Sequence, residues 1–277
     1  MKSYSVKPRL IVLLAGFGIS LLTLTSCEED VIMPAVPTKP STGTPTTTPP
    51  TTTPPTNPTQ TPVTTNSLLK QFGTRVFRYD AQNRLVELSY TDQLTHGYTV
   101  IWEGDKPVRL NFKGGEHYLL YTYEGDRVIE AVTYSRDHQP IYRYTYAYNG
   151  DRLVREANIS YATMAEGRLH VIDYKYDAKG NLTELVQAWS TSSKAEDLSA
   201  PITITWGGYD NSPNPLPYIQ STMYLPGVKL FQNNPGFRDT EVYTYSYHES
   251  GMPKQRYSKL QTHPQVPAIS ESYTYEK

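Results

Sequence analysis

From residue 66 to residue 277 the sequence predicts an all-β domain, an antiparallel meander of about a dozen strands curled into a soluble barrel or a rolled sheet. Three observations carry this. Aromatic and β-branched residues alternate with polar ones at the period of two that gives a strand two faces; Tyr142, Tyr144, Tyr146 and Tyr148 against Arg143, Thr145 and Ala147 is the plainest run. A short turn signature recurs between such runs. No long segment carries a helical period. A meander of that many strands curls or splits rather than staying flat, and closing it removes the exposed edges.

The elements before the domain read in order. Lys2, Lys7 and Arg9 precede an apolar run from Leu10 to Leu24, followed by Leu24-Thr25-Ser26-Cys27. A positive head, a short apolar core and small residues at a cleavage point mark an export signal, and the run is shorter than the ~20 residues of a membrane-spanning helix. The last four residues resemble the lipobox of bacterial lipoproteins, which implies a signal peptide over 1–26 and lipidation at Cys27. Cys27 is the one cysteine in the chain, so no disulfide framework exists, and a lipid on the thiol accounts for the odd count. Glu28, Glu29 and Asp30 follow within 27–33; an acidic cluster there resembles the surface-export signal of Bacteroidota lipoproteins, although such runs are also simply solvated. The expected location is the outer membrane, lipid-anchored and surface-exposed.

Residues 34–65 contain 10 Pro and 14 Thr in 32 positions, so no core can form there. Proline fixes φ and lacks a donor, and the stretch reads as a disordered or extended spacer. At ~3.1 Å per residue it reaches on the order of 100 Å.

The repeat follows. Tyr79-Asp80 leads to Arg84-Leu85, Trp102-Glu103-Gly104-Asp105 to Val108, Tyr123-Glu124-Gly125-Asp126 to Arg127-Val128, Tyr148-Asn149-Gly150-Asp151 to Arg152-Leu153, and Tyr176-Asp177 to Asn181-Leu182; Tyr247 to Met252 is a weaker copy. The aromatics at 102, 123, 148 and 176 are 21, 25 and 28 residues apart, the length of a hairpin and its return. Such self-similarity marks a repeat architecture. Asn149-Gly150 predicts a type I′ turn with positive φ at both residues. That register sets Tyr148 opposite Asp151, Tyr146 opposite Leu153, and Arg143 opposite Glu156 as an outward ion pair.

These turns, with Trp206-Gly207-Gly208-Tyr209-Asp210-Asn211-Ser212-Pro213-Asn214-Pro215, Asn233-Asn234-Pro235 and the closing Ser272-Tyr273-Thr274-Tyr275, resemble the YD repeats of Rhs-like proteins. The whole layout is similar to a family of Bacteroidota surface lipoproteins of unknown function with a porin-like fold. The resemblance spans about residues 70 to 277 and implies a fold and a location, but no activity. Glu-Gly or Asn-Gly replaces the strict Tyr-Asp turn at several places.

The chemistry is sparse. A net charge of −1 argues against nucleic acid,. The histidines (96, 117, 138, 170, 248 and 263) form no metal spacing and read as loop or strand surface residues. No phosphate loop, Gly-x-Ser-x-Gly or dinucleotide fingerprint is present, and no carboxylate pair is singled out. No catalytic residue, metal or cofactor is expected. Charge on both faces of the 142–157 hairpin and a mean hydropathy of −0.54 argue against a lipid-facing wall,. The candidate ligand-binding aromatics are Trp102, Trp189 and Trp206, flat amphipathic rings suited to sugars; each tyrosine reads first as a wall or core residue. The function expected is a surface-displayed, non-catalytic binding or interaction module for a glycan or an outer-membrane partner. A structural spacer with no small-molecule ligand is the alternative, and a polysaccharide-active enzyme stands behind both.

Overall fold

The computed structural model describes residues 67–163, 165–217 and 223–276. Cys27, the acidic residues after it and the Pro/Thr stretch lie outside the described residues. Among the described residues sixteen strands follow one another: β1 (Leu69–Phe72), β2 (Arg75–Tyr79), β3 (Leu85–Tyr90), β4 (Gly97–Glu103), β5 (Lys106–Phe112), β6 (Tyr118–Glu124), β7 (Arg127–Tyr134) and β8 (Pro140–Asn149). The second half comprises β9 (Arg152–Ser160), β10 (Arg168–Tyr176), β11 (Leu182–Trp189), β12 (Ile202–Gly207), β13 (Phe237–Arg238), β14 (Glu241–Tyr247), β15 (Pro253–Leu260) and β16 (Ile269–Tyr275). Each pairs antiparallel with its sequence neighbours, and β1 pairs with both β2 and β16, closing the barrel. The helical structure among the described residues is one 3-10 turn, Ala195–Asp197. Four-residue β1 and two-residue β13 are too short to show an alternation, so the strands outnumber the expected dozen.

Three of the repeated turns share one geometry. Gly104, Gly125 and Gly150 have φ of +59°, +59° and +58°. They are flanked by the pairs Glu103↔Lys106, Glu124↔Arg127 and Asn149↔Arg152. The two loop residues are therefore Gly-Asp, with positive φ at the first alone, which is the type II′ pattern. This corrects the expected Asn149-Gly150 turn: Asn149 ends the strand, and Gly150 takes the first loop position.

A second correction follows from the ladder. Tyr148 faces Leu153, but Ala147 faces Arg155, leaving Val154 as a bulge. One extra residue moves every later side chain to the other face. Glu156 thus sits opposite Tyr146 inside the barrel, and Arg143 lies opposite Ile159. The Arg143 guanidinium instead reaches Glu130 on β7 at 2.7 Å. The same slip recurs at Val86, Val108, Ile129, Thr183 and Lys254. Each bulge follows the residue that faces the aromatic before the turn. The bulge is thus part of the repeat.

Inward positions build one hydrophobic cluster that includes Phe72, Phe77, Leu88, Tyr98, Leu110, Leu119, Val128, Leu153 and Leu182. The segment between β12 and β13 joins it. Leu225, Val228, Leu230 and Phe231 are buried in the same cluster. The Tyr121 hydroxyl donates to the Tyr224 carbonyl, and the Leu182 N–H donates to the Leu230 carbonyl at 2.8 Å. Asn181 Oδ1 accepts the N–H groups of Gln232 and Asn233 at 2.9 and 2.8 Å. Asp210 accepts from the N–H groups of Ser212 and Asn234 at 3.0 and 3.1 Å, and from the Tyr247 hydroxyl. The segment stoppers the end of the barrel where the Gly-Asp turns lie.

The outer wall is charged. Arg78 lies 3.6 Å from Glu87, which also takes Lys113. Arg155 meets Asp173 at 2.7 Å and Lys175 meets Glu184 at 2.6 Å, each directly across the ladder.

Candidate functional site

Two ends of the barrel hold the residues that could act. At the stoppered end, the aromatic before each turn points inward and its polar tip reaches back one hairpin. Trp102 Nε1–H donates to the Leu85 carbonyl at 2.9 Å, and the hydroxyls of Tyr123, Tyr148 and Tyr176 donate to the carbonyls of Pro107, Val128 and Leu153 at 2.6, 2.8 and 2.7 Å. Tyr209 repeats the contact on Leu182, and Tyr275 on Pro253. In every case the acceptor belongs to the residue just before a bulge. Because bulges disrupt the ladder locally, a side-chain donor there satisfies a backbone group that would otherwise be costly to bury.

Basic residues repeat the pattern outside. Arg84 stacks over Trp102 at 5.0 Å, Lys106 over Tyr123 at 5.4 Å, Arg127 over Tyr148 and Arg152 over Tyr176 at 5.8 Å each. Their heads reach the following turn: Lys106 lies 3.0 Å from Asp126, and Arg127 lies 2.6 Å from Asp151. Such exposed pairs contribute little singly, but with the hydroxyl contacts they fix each hairpin against the next. Trp102 is therefore a structural member of this rim. Trp206, 4 % exposed, is a core residue tilted against Phe231.

At the opposite end the inward faces of β8 to β11 carry polar groups. The ladder sets Tyr144, Asn158, His170 and Trp189 side by side in one row across the four strands. The next row inward begins with Tyr146, Glu156 and Ile172 and ends at Gln187. The rings of His170 and Trp189 stack with centroids 4.7 Å apart and planes 4° off parallel. Trp189 keeps 37 % of its surface exposed. His170 faces inward, correcting its assignment as a surface residue; burial lowers its basicity, opposed by a hydrogen bond to Gln187.

Glu156 is 8 % exposed and accepts a hydrogen bond from the Tyr174 hydroxyl at 3.3 Å. Burial pushes its carboxyl up to about 7, against the opposing effect of that hydrogen bond. Burial also raises the hydroxyls of Tyr121, Tyr144, Tyr146 and Tyr174, so all stay neutral. Three buried polar atoms in these two rows have no hydrogen-bond partner: Tyr146 Oη, Asn158 Oδ1 and His170 Nε2. Of the three tryptophans singled out in the sequence, this region contains Trp189. Glu156 and Asn158 were missed because the bulge at Val154 hides which face they occupy, and His170, on β10, was missed because it was read as a surface residue.

The geometry defines a class, a closed antiparallel barrel with one mouth stoppered by its own chain. No family model matches the sequence, and no curated protein matches it. Among solved structures, a porin-like protein from Bacteroides vulgatus ATCC 8482 superposes with a TM-score of 0.50 at 12% identity, covering 76% of this chain and 99% of that one. A porin-like protein from Bacteroides uniformis ATCC 8492 gives a TM-score of 0.47 at 14% identity, over 73% of this chain and 89% of that one. The first likeness shows the fold: this chain has a porin-like barrel.

Proposed function

We propose that the chain is an exported protein, cut before Cys27 and held by lipid on the outer-membrane surface, whose barrel stands outside the bilayer as a non-catalytic binding or interaction module. The observation that carries the reading is the polarity of the wall. A bilayer-spanning barrel turns an apolar band outward and polar groups inward. Here ion pairs stand on the outer faces of β2–β3 and β7–β11, while the inner faces supply the hydrophobic cluster. An Arg or Lys on a lipid face costs about 2–4 kcal/mol at the midplane, and several would exceed the 5–15 kcal/mol that holds a typical domain together. The Glu28-Glu29-Asp30 cluster supports export to the outer face, and the Pro/Thr stretch gives the barrel reach. The occupant class is a glycan or an outer-membrane partner protein, with the exposed indole of Trp189 as the feature that favours a glycan. The spacer reading has its own support in the rim, whose repeated contacts tie hairpin to hairpin.

The test is a glycan-array screen of the full chain in detergent, alongside co-purification from membranes. Specific sugar binding supports the glycan reading, and one stoichiometric envelope protein supports the partner reading. Silence in both leaves the spacer and overturns the binding module.

A further inference from the structure

We propose that the row Tyr144–Asn158–His170–Trp189 is a subsite for one neutral, hydroxyl-rich ring, a sugar residue, seated against the open face of the Trp189 indole. The assignment rests on the binding-module reading above and gives it a place and a ligand chemistry.

Four features converge on it. First, the platform is preset. One face of the indole is covered by the parallel imidazole of His170, while the residue keeps 37 % of its surface in solvent. The backbone around it is held, with Trp189 N–H donating to Ser199 Oγ at 3.3 Å and the Trp189 carbonyl accepting from Ser199 N–H at 2.7 Å. A fixed, half-exposed aromatic face suits the C–H face of a sugar ring. Second, polar atoms buried behind it have no partners. Asn158 Oδ1 has no partner. His170 Nε2 has none either. Third, Tyr146, diagonal to Asn158 in the next row, is 7 % exposed, and its hydroxyl lacks a partner. Buried polar groups are normally paired, and each that is not calls for an explanation. Fourth, the row has no formal charge: its members are Tyr144, whose hydroxyl burial keeps neutral, a neutral histidine, an amide and an indole. A ligand that brings hydroxyl groups, which both donate and accept, and an apolar ring face satisfies all four features, whereas an anion finds no cationic group in the row.

The experiment titrates the full chain, in detergent, with the methyl glycosides of glucose, galactose, mannose and N-acetylglucosamine, followed by tryptophan fluorescence and calorimetry. Saturable binding of at least one is expected. Trp189→Ala and Asn158→Ala should each weaken it by roughly tenfold or more, the scale of a hot-spot contact. Trp189→Phe, which keeps a flat ring, should retain most of the affinity. Arg155→Ala, on the outer face of β9, should leave it unchanged. Melting curves identify the variants that remain folded, and Asn158→Ala and Trp189→Phe keep the test decisive if Trp189→Ala does not fold. Binding that survives both alanine changes in folded protein places the sugar elsewhere: it overturns this subsite and leaves the binding module standing. No binding of any glycoside by a chain that is positive on the glycan array also overturns the subsite. Silence in both assays, with no partner protein recovered, overturns the reading beneath it.

Discussion

Glu156→Gln should make the protein more stable at alkaline pH while leaving it little changed at acid pH. The carboxyl is pushed from an ordinary 4.5 to about 7 by burial among the tyrosines of β8 and β10. Between those values the folded chain holds a proton that the unfolded chain has shed. Stability therefore falls as pH rises through this window, and the loss is complete above about 7. A displacement of that size corresponds to about 3 kcal/mol at ~1.4 kcal/mol per tenfold change. For a domain of this size about 3 kcal/mol moves the melting temperature by about 6–12 °C. Glutamine keeps the shape and an oxygen for the Tyr174 hydroxyl, but has no proton to lose. The four neighbouring tyrosines stay neutral throughout, because burial raises them all. His170 is shifted downward and contributes the opposite slope below its ordinary value, but both proteins share it, so the difference between them isolates Glu156. Melts of the two proteins at pH 5 and pH 8.5 decide the matter. Coincident melting at pH 5 with the variant higher at pH 8.5 supports the argument. Parallel curves at both pH values would refute the inward placement of Glu156, and with it the bulge at Val154.

Three further outcomes are expected. Tyr148→Phe removes the hydroxyl that satisfies the Val128 carbonyl and should cost about 0.5–1.5 kcal/mol, readable in a denaturant titration. Arg143→Glu should be partly rescued by Glu130→Arg, which restores the pair seen at 2.7 Å, and not by Glu156→Arg; a double-mutant cycle measures the coupling, expected at a few tenths to ~1 kcal/mol. Cys27→Ala should abolish metabolic lipid labelling and move the protein into the aqueous fraction, and a variant that still partitions with membranes like wild type would sink the anchor.

The sequence made the barrel legible because its signals are local. The alternation of Tyr142 to Tyr148 and the Gly-Asp turns repeat a period and a backbone requirement that need no tertiary knowledge. The register beyond each turn was not legible, because a bulge residue such as Val154 is an ordinary β-former and marks its own irregularity with nothing. That single residue decides whether Glu156 is an outward charge or a buried acid, so the missed register and the missed residues of β9 have one cause. Trp189 could be seen because an aromatic beside a Ser-rich loop is unusual on its own terms. His170 read as surface because polar residues on strands usually are. The stopper was hidden for a different reason: Leu225, Val228, Leu230 and Phe231 follow neither period, since irregular backbone places each of them individually.

The rim contacts also impose a direction on assembly. Trp102, Tyr123, Tyr148, Tyr176 and Tyr209 each reach back to a hairpin already synthesised, so these contacts tie each new hairpin to a growing arc. Low sequence separation favours fast formation. The seam spans the greatest distance along the chain: β1 must find β16 across nearly the whole domain, and the Glu276 N–H must reach the Leu68 carbonyl. The arc can zip from its N-terminal end as the chain emerges, while the ring closes last. The wall and its closure are thus separable events, and the seam is where slow folding and exchange of strands between copies would concentrate.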